Sequence, residues 1–241
     1  MNLHGASLAW LGHATFLLTT AQGKKILIDP WLAGNPSCPP EFHGLDVDAI
    51  LITHGHGDHI GDVFTAHERC SGPIVAIYDL TTWLASQGLP PAKLVGMNKG
   101  GTVALPGLGV SVSMTDARHS SSFVSQGQII YLGEAAGYVI HLDGGPSLYV
   151  AGDTCLFGDM ALIRELYQPS LAVLPIGDRF TMDPKAAAIA CRLLGVEAVV
   201  PSHYKTFPLL TGDVPELRAA LDAQGLADVQ ILAPKVGESV G

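Results

Sequence analysis

With 241 residues, 48% of them hydrophobic and only 15% charged, the chain can bury a sizeable core, which excludes an intrinsically disordered polypeptide. Its 22 acidic and 13 basic side chains leave a formal charge of −9 with no Lys/Arg cluster, so general binding to a nucleic-acid backbone is not expected. No apolar run approaches the roughly 18 residues of a membrane helix, and Met1 to Leu18 lacks the basic start of a secretory leader.

The opening reads as three strands, Ser7 to Leu11, Thr15 to Thr19 and Lys25 to Ile28, separated by glycine-containing turns. The last ends at Asp29-Pro30, and Ala33 to Phe42, with three prolines, reads as a loop bordering a pocket. A compact apolar run, Ala49 to Thr53, fits a buried strand. It stops at His54, and a helix is expected from about Asp58 to Arg69. Strand, helix and strand follow at Pro73 to Ile77, Asp79 to Gln87 (Asp79 as N-cap) and Lys93 to Met97.

The second half repeats this succession without repeating the sequence. Strands are expected at Gly109 to Thr115, Gln128 to Leu132, Gly137 to Leu142 and Ser147 to Ala151, with Asp143-Gly144-Gly145 as a hairpin turn. Helices at Phe157 to Tyr167, Pro184 to Leu194 and Pro215 to Gln224 then alternate with strands Leu171 to Pro175, Ala198 to Pro201 and Val229 to Leu232. The last two helices open with an aspartate followed closely by proline, a cap-then-proline start. So many strands need helices on their outer faces, which points to an α/β fold: an αββα four-layer sandwich in a single domain over residues 1–241.

The chemistry concentrates in His54-Gly55-His56-Gly57-Asp58-His59, directly after a buried strand. His54 and His56 alternate and can face one ion, while Asp58 and His59 can reach a second. Imidazole and carboxylate donors suit Zn, Mn, Fe or Ni. Three further candidates also follow β-runs: His119 after Gly109 to Thr115, Asp153 after Ser147 to Ala151, and His203 after Ala198 to Val200. The four cysteines, Cys38, Cys70, Cys155 and Cys191, are far apart and read as reduced thiols of a cytoplasmic protein.

The set His54-x-His56-x-Asp58-His59, His119, Asp153 and His203 resembles the five-motif signature of the metallo-β-lactamase superfamily, with Asp29 matching its first motif. More narrowly, Trp10-Leu11-Gly12-His13, Ile28-Asp29-Pro30, Thr53 to Asp62, Ala151 to Thr154, Leu174 to Asp178 and Pro201 to Pro208 resemble one branch of bacterial metal-dependent hydrolases related to L-ascorbate-6-phosphate lactonase. The resemblance implies two divalent transition-metal ions: His54, His56 and His119 on one, Asp58, His59 and His203 on the other, Asp153 bridging. Asp29 would steady the histidine loop. His13 is read either as facing the site or as packed at a strand end. Cys155 and Lys205 stand where this branch is expected to carry a small residue and a polar amide. Lys205 is read as an anion contact or a rim residue; Cys155, two residues from Asp153, is read as a buried inert thiol in preference to a metal ligand. His4, His43, His67 and His141 fit no motif and are expected to be structural.

The expected activity is hydrolysis of an ester, lactone or phosphodiester of a small molecule by a hydroxide shared between two ions, with Asp58 orienting the water or accepting its proton. No GxSxG elbow appears, which argues against an acyl-enzyme. An RNA-processing nuclease of the same fold and a non-catalytic metal-binding module are the competing readings. Ala33 to Phe42 and Ser120 to Gly127 are the loops expected to set specificity, and a homo-oligomer is compatible with the sequence.

Overall fold

The computed structural model describes residues 1–241. Sheet one is built from β1 (Ser7–Trp10), β2 (Phe16–Thr19), β3 (Lys25–Ile28), β4 (Ala49–Leu51), β5 (Ile74–Ile77) and β6 (Leu94–Met97), side by side in chain order. Sheet two holds β7 (Thr102–Leu105) and β8 (Val110–Asp116). A separate hairpin, β9 (Ser122–Ser125) with β10 (Gln128–Tyr131), intervenes before β11 (Ala136–Leu142), β12 (Ser147–Val150), β13 (Leu171–Pro175), β14 (Ala198–Ser202) and β15 (Gln230–Ile231) complete it. The last strand, β16 (Ser239–Val240), returns to sheet one and pairs antiparallel with β1.

Both sheets follow one plan. Antiparallel strands come first, and parallel strands joined through helical connections follow. The parallel strands β4, β5, β13 and β14 are buried along their whole length, as expected for strands covered on both faces.

The helices are α1 (Gly57–Ile60), α2 (Val63–Glu68), α3 (Tyr78–Ser86), α4 (Met160–Tyr167), α5 (Pro184–Leu194) and α6 (Val214–Ala223). Val63, Ala66, Leu80 and Leu84 from α2 and α3 join a core that also takes Ile50 and Val75 from sheet one and Val112, Met114 and Tyr138 from sheet two. On the far side of sheet two, Met160, Ile163, Ala187, Cys191, Leu217 and Leu221 of α4 to α6 pack against Val139, Tyr149, Ala172 and Val199. The result is the αββα sandwich. The Tyr138 hydroxyl ties the layers together by donating 2.9 Å to the Ile52 carbonyl. No helix is long and apolar enough to cross a membrane.

Asp183 and Asp213 cap their helices as expected, accepting from Ala186 N at 2.7 Å and Glu216 N at 2.9 Å. Three local expectations are corrected. Asp79 is not a cap: α3 begins at Tyr78 directly after β5, with Ile77 in the cap position and no side-chain cap bond. The stretch Asp58 to Arg69 is two short helices rather than one. Asp62 stands between them, its carboxylate accepting from the amides of Leu32 and Gly34. Finally, Ser120 to Gly127 is not all loop, because Ser122–Ser125 pairs with Gln128–Tyr131.

Candidate metal centre

The candidate donors follow the C-terminal ends of strands that run in one direction within each sheet. β1, β3 and β4 lead to His13, Asp29 and His54; β8, β12 and β14 lead to His119, Asp153 and His203. Carboxyl ends of like-directed strands lie at one rim, so loops distant in sequence meet there. The turns are sharp. His13, Asp29 and His203 all have positive φ, at 55°, 51° and 53°, a region non-glycine residues adopt uncommonly and often at functional sites. Gly55 lets the histidine loop run close to the core: a Cβ there would lie 2.5 Å from Leu132 Cδ1.

Three donor groups result, each with its ligand atoms within 4.8 Å of one another: His54, His56 and His119; His13, Asp58, His59 and His203; and His54, His59 and Asp153. All seven sequence candidates are therefore brought together, and His13 joins them. Asp153 stands between the groups. One of its carboxylate oxygens lies 3.1 Å from His203 Nε2, 3.5 Å from His59 Nε2 and 3.6 Å from His119 Nε2. His54 Nε2 and His56 Nδ1 are 3.0 Å apart. Two atoms bound to one ion at about 2.0–2.1 Å are about 3.3 Å apart across a tetrahedral angle, so this spacing suits a shared cation.

The outward nitrogens of His59, His54, His56 and His13 are anchored by oxygen partners, whereas Nδ1 of His203 is buried without one. The Asp29 carboxylate, 1% exposed, accepts from Thr53 N at 2.8 Å, from the Thr53 hydroxyl at 2.7 Å and from His59 Nδ1 at 2.8 Å. With its proton committed to Asp29, the Thr53 hydroxyl accepts from His54 Nδ1 at 3.1 Å. His56 Nε2 meets the Ser120 hydroxyl at 3.2 Å, and His13 Nδ1 meets that of Thr206 at 2.9 Å. The Asp29 and Thr53 contacts fix the tautomers of His59 and His54 and turn the other nitrogen of each inward.

Electrostatics also favour a cation here. Burial alone would raise the Asp153 carboxyl, but the charges of His203 and His59 outweigh it and hold it well below the usual range. Burial likewise opposes charge on His203, yet Asp153 pushes it up to about 9, and Asp153 with Asp29 raises His59 well above the ordinary value. His54, His56 and His119 are depressed, chiefly by burial, and offer neutral lone pairs. Protonated His59 and His203 thus offset part of the negative charge of Asp29, Asp58 and Asp153. Even so, His59 Nε2 and Asp153 Oδ1 remain buried without a hydrogen-bond partner. Buried polar atoms are seldom left so, and neutral imidazoles beside carboxylates fit a transition-metal pair.

The remaining candidates lie elsewhere. Lys205 pairs with Asp213 at 3.3 Å. Cys155 is exposed rather than buried, which corrects the expectation of a packed thiol, and it is absent from the donor groups. His141 sits within β11 between the hydroxyls of Ser113 and Ser147, at 2.9 and 3.0 Å, and His67 lies on α2. His4 and His43 bond the carbonyls of Gly144 and Cys38. Sequence reasoning missed the anchors Thr53, Ser120 and Thr206. A hydroxyl residue immediately before His54 and one immediately after His119 were the available signals.

Residues 24–204 match the model of the beta-lactamase superfamily domain. A UPF0173 metal-dependent hydrolase of Roseiflexus sp. is 46% identical over 240 residues, covering 97% of this chain and 96% of its own. The chain belongs to the metallo-β-lactamase superfamily. Among solved structures of the superfamily fold, Igni18, a metallo hydrolase from Ignicoccus hospitalis, superposes with a TM-score of 0.82 at 36% identity, covering 98% of this chain and 97% of the other. An isothiocyanate hydrolase from Delia radicum gut bacteria gives 0.73 at 25%, with 98% of each chain covered. Within the superfamily the chain takes its place among the metal-dependent hydrolases.

Proposed function

We propose that this member of the superfamily is a dinuclear hydrolase that cleaves an ester, lactone or phosphodiester bond of a small molecule. One observation carries the reading: one Asp153 oxygen lies within 3.6 Å of imidazoles from both donor pockets, and His59 Nε2 and the other Asp153 oxygen are buried without a hydrogen-bond partner. His54, His56 and His119 would hold one divalent ion and Asp58, His59 and His203 the other, with Asp153 between them. Bound there, such ions supply Lewis acidity toward the substrate's reacting oxygen and lower the pKa of water.

The side chains do the rest. Asp58 is the more open carboxylate of the centre, its side chain 32% exposed against 3% for Asp153. Burial would raise it, but contacts with His13 and His203 hold it well below the carboxylate range. It therefore stays anionic, orients the attacking water by accepting its hydrogen bond, and takes its proton in passing. Trp31 and Phe207 stand nearly perpendicular to the His13 ring, with ring centroids 5.2 and 5.8 Å from its own, giving an apolar wall beside these donors. An apolar substrate group would lie against that wall. The formal charge of −9 speaks against a nucleic-acid substrate.

The test is a screen of lactones, acyl esters and phosphodiesters with Zn, Mn, Ni and Fe supplied in turn. The isothiocyanate hydrolase likeness adds an isothiocyanate to the panel. Activity on at least one ester-type bond, lost on chelation and restored by metal, is expected. Full activity in folded protein shown by elemental analysis to be metal-free would end the reading.

A further inference from the structure

The geometry points to His13 as an additional ligand in the Asp58/His59/His203 pocket, held in its ligating tautomer by Thr206, so that the two metal pockets differ in donor number. This inference rests on the dinuclear reading above.

His13 is 1% exposed, and its Nε2 lies 3.0 Å from an Asp58 carboxylate oxygen, inside a group whose donor atoms all lie within 4.8 Å of one another. Its other nitrogen meets the Thr206 hydroxyl at 2.9 Å. The arrangement matches that of three of the five sequence-assigned histidines, with one ring nitrogen turned inward and the other on an oxygen: His59 on Asp29, His54 on Thr53 and His56 on Ser120.

The backbone is arranged to present this ring. Gly12 and His13 both have positive φ, at 98° and 55°, and a Cβ on Gly12 would stand 2.8 Å from Ser37 Cβ. The His13 carbonyl accepts from Trp10 Nε1 and from His203 N, both at 2.9 Å. That second bond joins two left-handed residues from different sheets and brings their rings to 3.9 Å. A histidine that merely filled space would need neither the strained backbone nor an inward nitrogen aimed at a carboxylate.

The pockets then become unequal. His54, His56 and His119 with Asp153 offer four donor atoms, which suits tetrahedral zinc. His13, Asp58, His59 and His203 with Asp153 offer five, more than zinc takes in its four-coordinate sites and suited to an ion of higher coordination number.

Glutamine at position 13 separates a ligand from a hydrogen-bond donor, because its amide can still donate to Asp58 but is a poor metal ligand. The experiment titrates wild-type, His13→Gln, Thr206→Val and His54→Ala proteins with cobalt(II) chloride. It records stoichiometry, affinity and the hyperfine-shifted, exchangeable imidazole N–H signals, with circular dichroism confirming the fold. Wild type is expected to take up two equivalents. His13→Gln should weaken one of them at least tenfold and remove one imidazole signal, leaving the other equivalent unchanged. Thr206→Val should weaken the same equivalent by roughly tenfold. His54→Ala should weaken the other equivalent and retain the His13 signal.

If His13→Gln binds two equivalents with wild-type affinity and an unchanged signal set, His13 is no ligand, while the dinuclear reading stands. If wild type itself binds fewer than two, both fall. Should either position 13 or 206 prove intolerant of change, the wild-type spectrum still decides, with six shifted histidine signals supporting the inference and five overturning it.

Discussion

Replacing Asp29 by Asn exchanges one buried carboxylate oxygen for an amide in a pocket that offers that position two donors. The oxygen retained, Oδ1, can still accept from Thr53 N. At the Oδ2 position an NH2 group would face the Thr53 hydroxyl and His59 Nδ1, formerly 2.7 and 2.8 Å from an acceptor. Hydrogen bonds to a charged group contribute about 1.5–3 kcal/mol each, so two lost bonds set a ceiling of about 3–6 kcal/mol. Relaxation lowers it. The Thr53 hydroxyl can turn to accept from the new amide, and His59 can accept at Nδ1 by moving its proton to Nε2. Stability is expected to fall by about 2–3 kcal/mol. The larger consequence is for metal. Protonated at Nε2, His59 cannot ligate, and a reversed Thr53 hydroxyl donates to His54 Nδ1, moving that proton to Nε2 as well. One substitution thus disables a ligand in each pocket, and both equivalents should weaken by about 10–100-fold. Competition against a chromophoric chelator, alongside urea unfolding of the metal-free protein, measures both effects. Two equivalents bound at wild-type affinity would refute the reasoning, and weakening of one alone would break the Thr53 relay.

His119→Ala and His203→Ala should each lower the affinity for one ion, whereas His141→Ala and His67→Ala should leave metal content at wild-type levels by elemental analysis. Asp153→Asn should reduce turnover by about 10²-fold or more with little change in thermal stability of the metal-free protein. The metal-free protein should be most stable near pH 6.5. His203, raised from 6.5 to about 9, contributes stability that is fully present below 6.5 and lost as pH climbs through 9. His13, lowered to about 4, contributes in the opposite sense, losing its share as pH falls from 6.5 through 4. Melting temperatures of chelator-treated protein from pH 4.5 to 9.5 test this, and a monotonic profile would contradict it. In the native fold only exposed Cys155 should react rapidly with a thiol reagent. Cys38, Cys70 and Cys191 are buried, with pKa raised chiefly by that burial, to about 11 for Cys38 and about 12 for Cys191. Full denaturation should release all four, and more than one fast-reacting native thiol would count against the packing.

The donors legible in the sequence were those next to strong strand signals. Ala49 to Thr53 ends at His54, and Gly109 to Thr115, Ser147 to Ala151 and Ala198 to Val200 each end just short of His119, Asp153 and His203. Period and composition mark such runs, and the rim position follows from strand direction. His13 was harder to read because Asp58, Thr206 and His203, the groups that define its role, lie 45 to 193 residues away. The local misreadings share a cause. Asp79 has the right chemistry for a cap, but α3 leaves β5 with no turn in which a cap could form. Asp62 sits within a plausible helix, yet its carboxylate serves the amides of Leu32 and Gly34, a demand invisible in its own neighbourhood. The strand Ser122–Ser125 carries two serines and is defined only by its partner. Ser239–Val240, two residues long, is likewise a strand only because β1 lies alongside.

The rim that gathers the donors is also a seam. His13, Asp29 and the 54–59 loop hang from one sheet, and His119, Asp153 and His203 hang from the other. Ions held there would act as rivets between two halves of the chain that are each continuous apart from the returning β16. Loading would then be felt mechanically as well as chemically. Slow hydrogen exchange should spread from the rim along Ile52 and Tyr138, the pair that already bridges the layers beneath it. The protection gained should grow with free metal concentration as binding linkage requires.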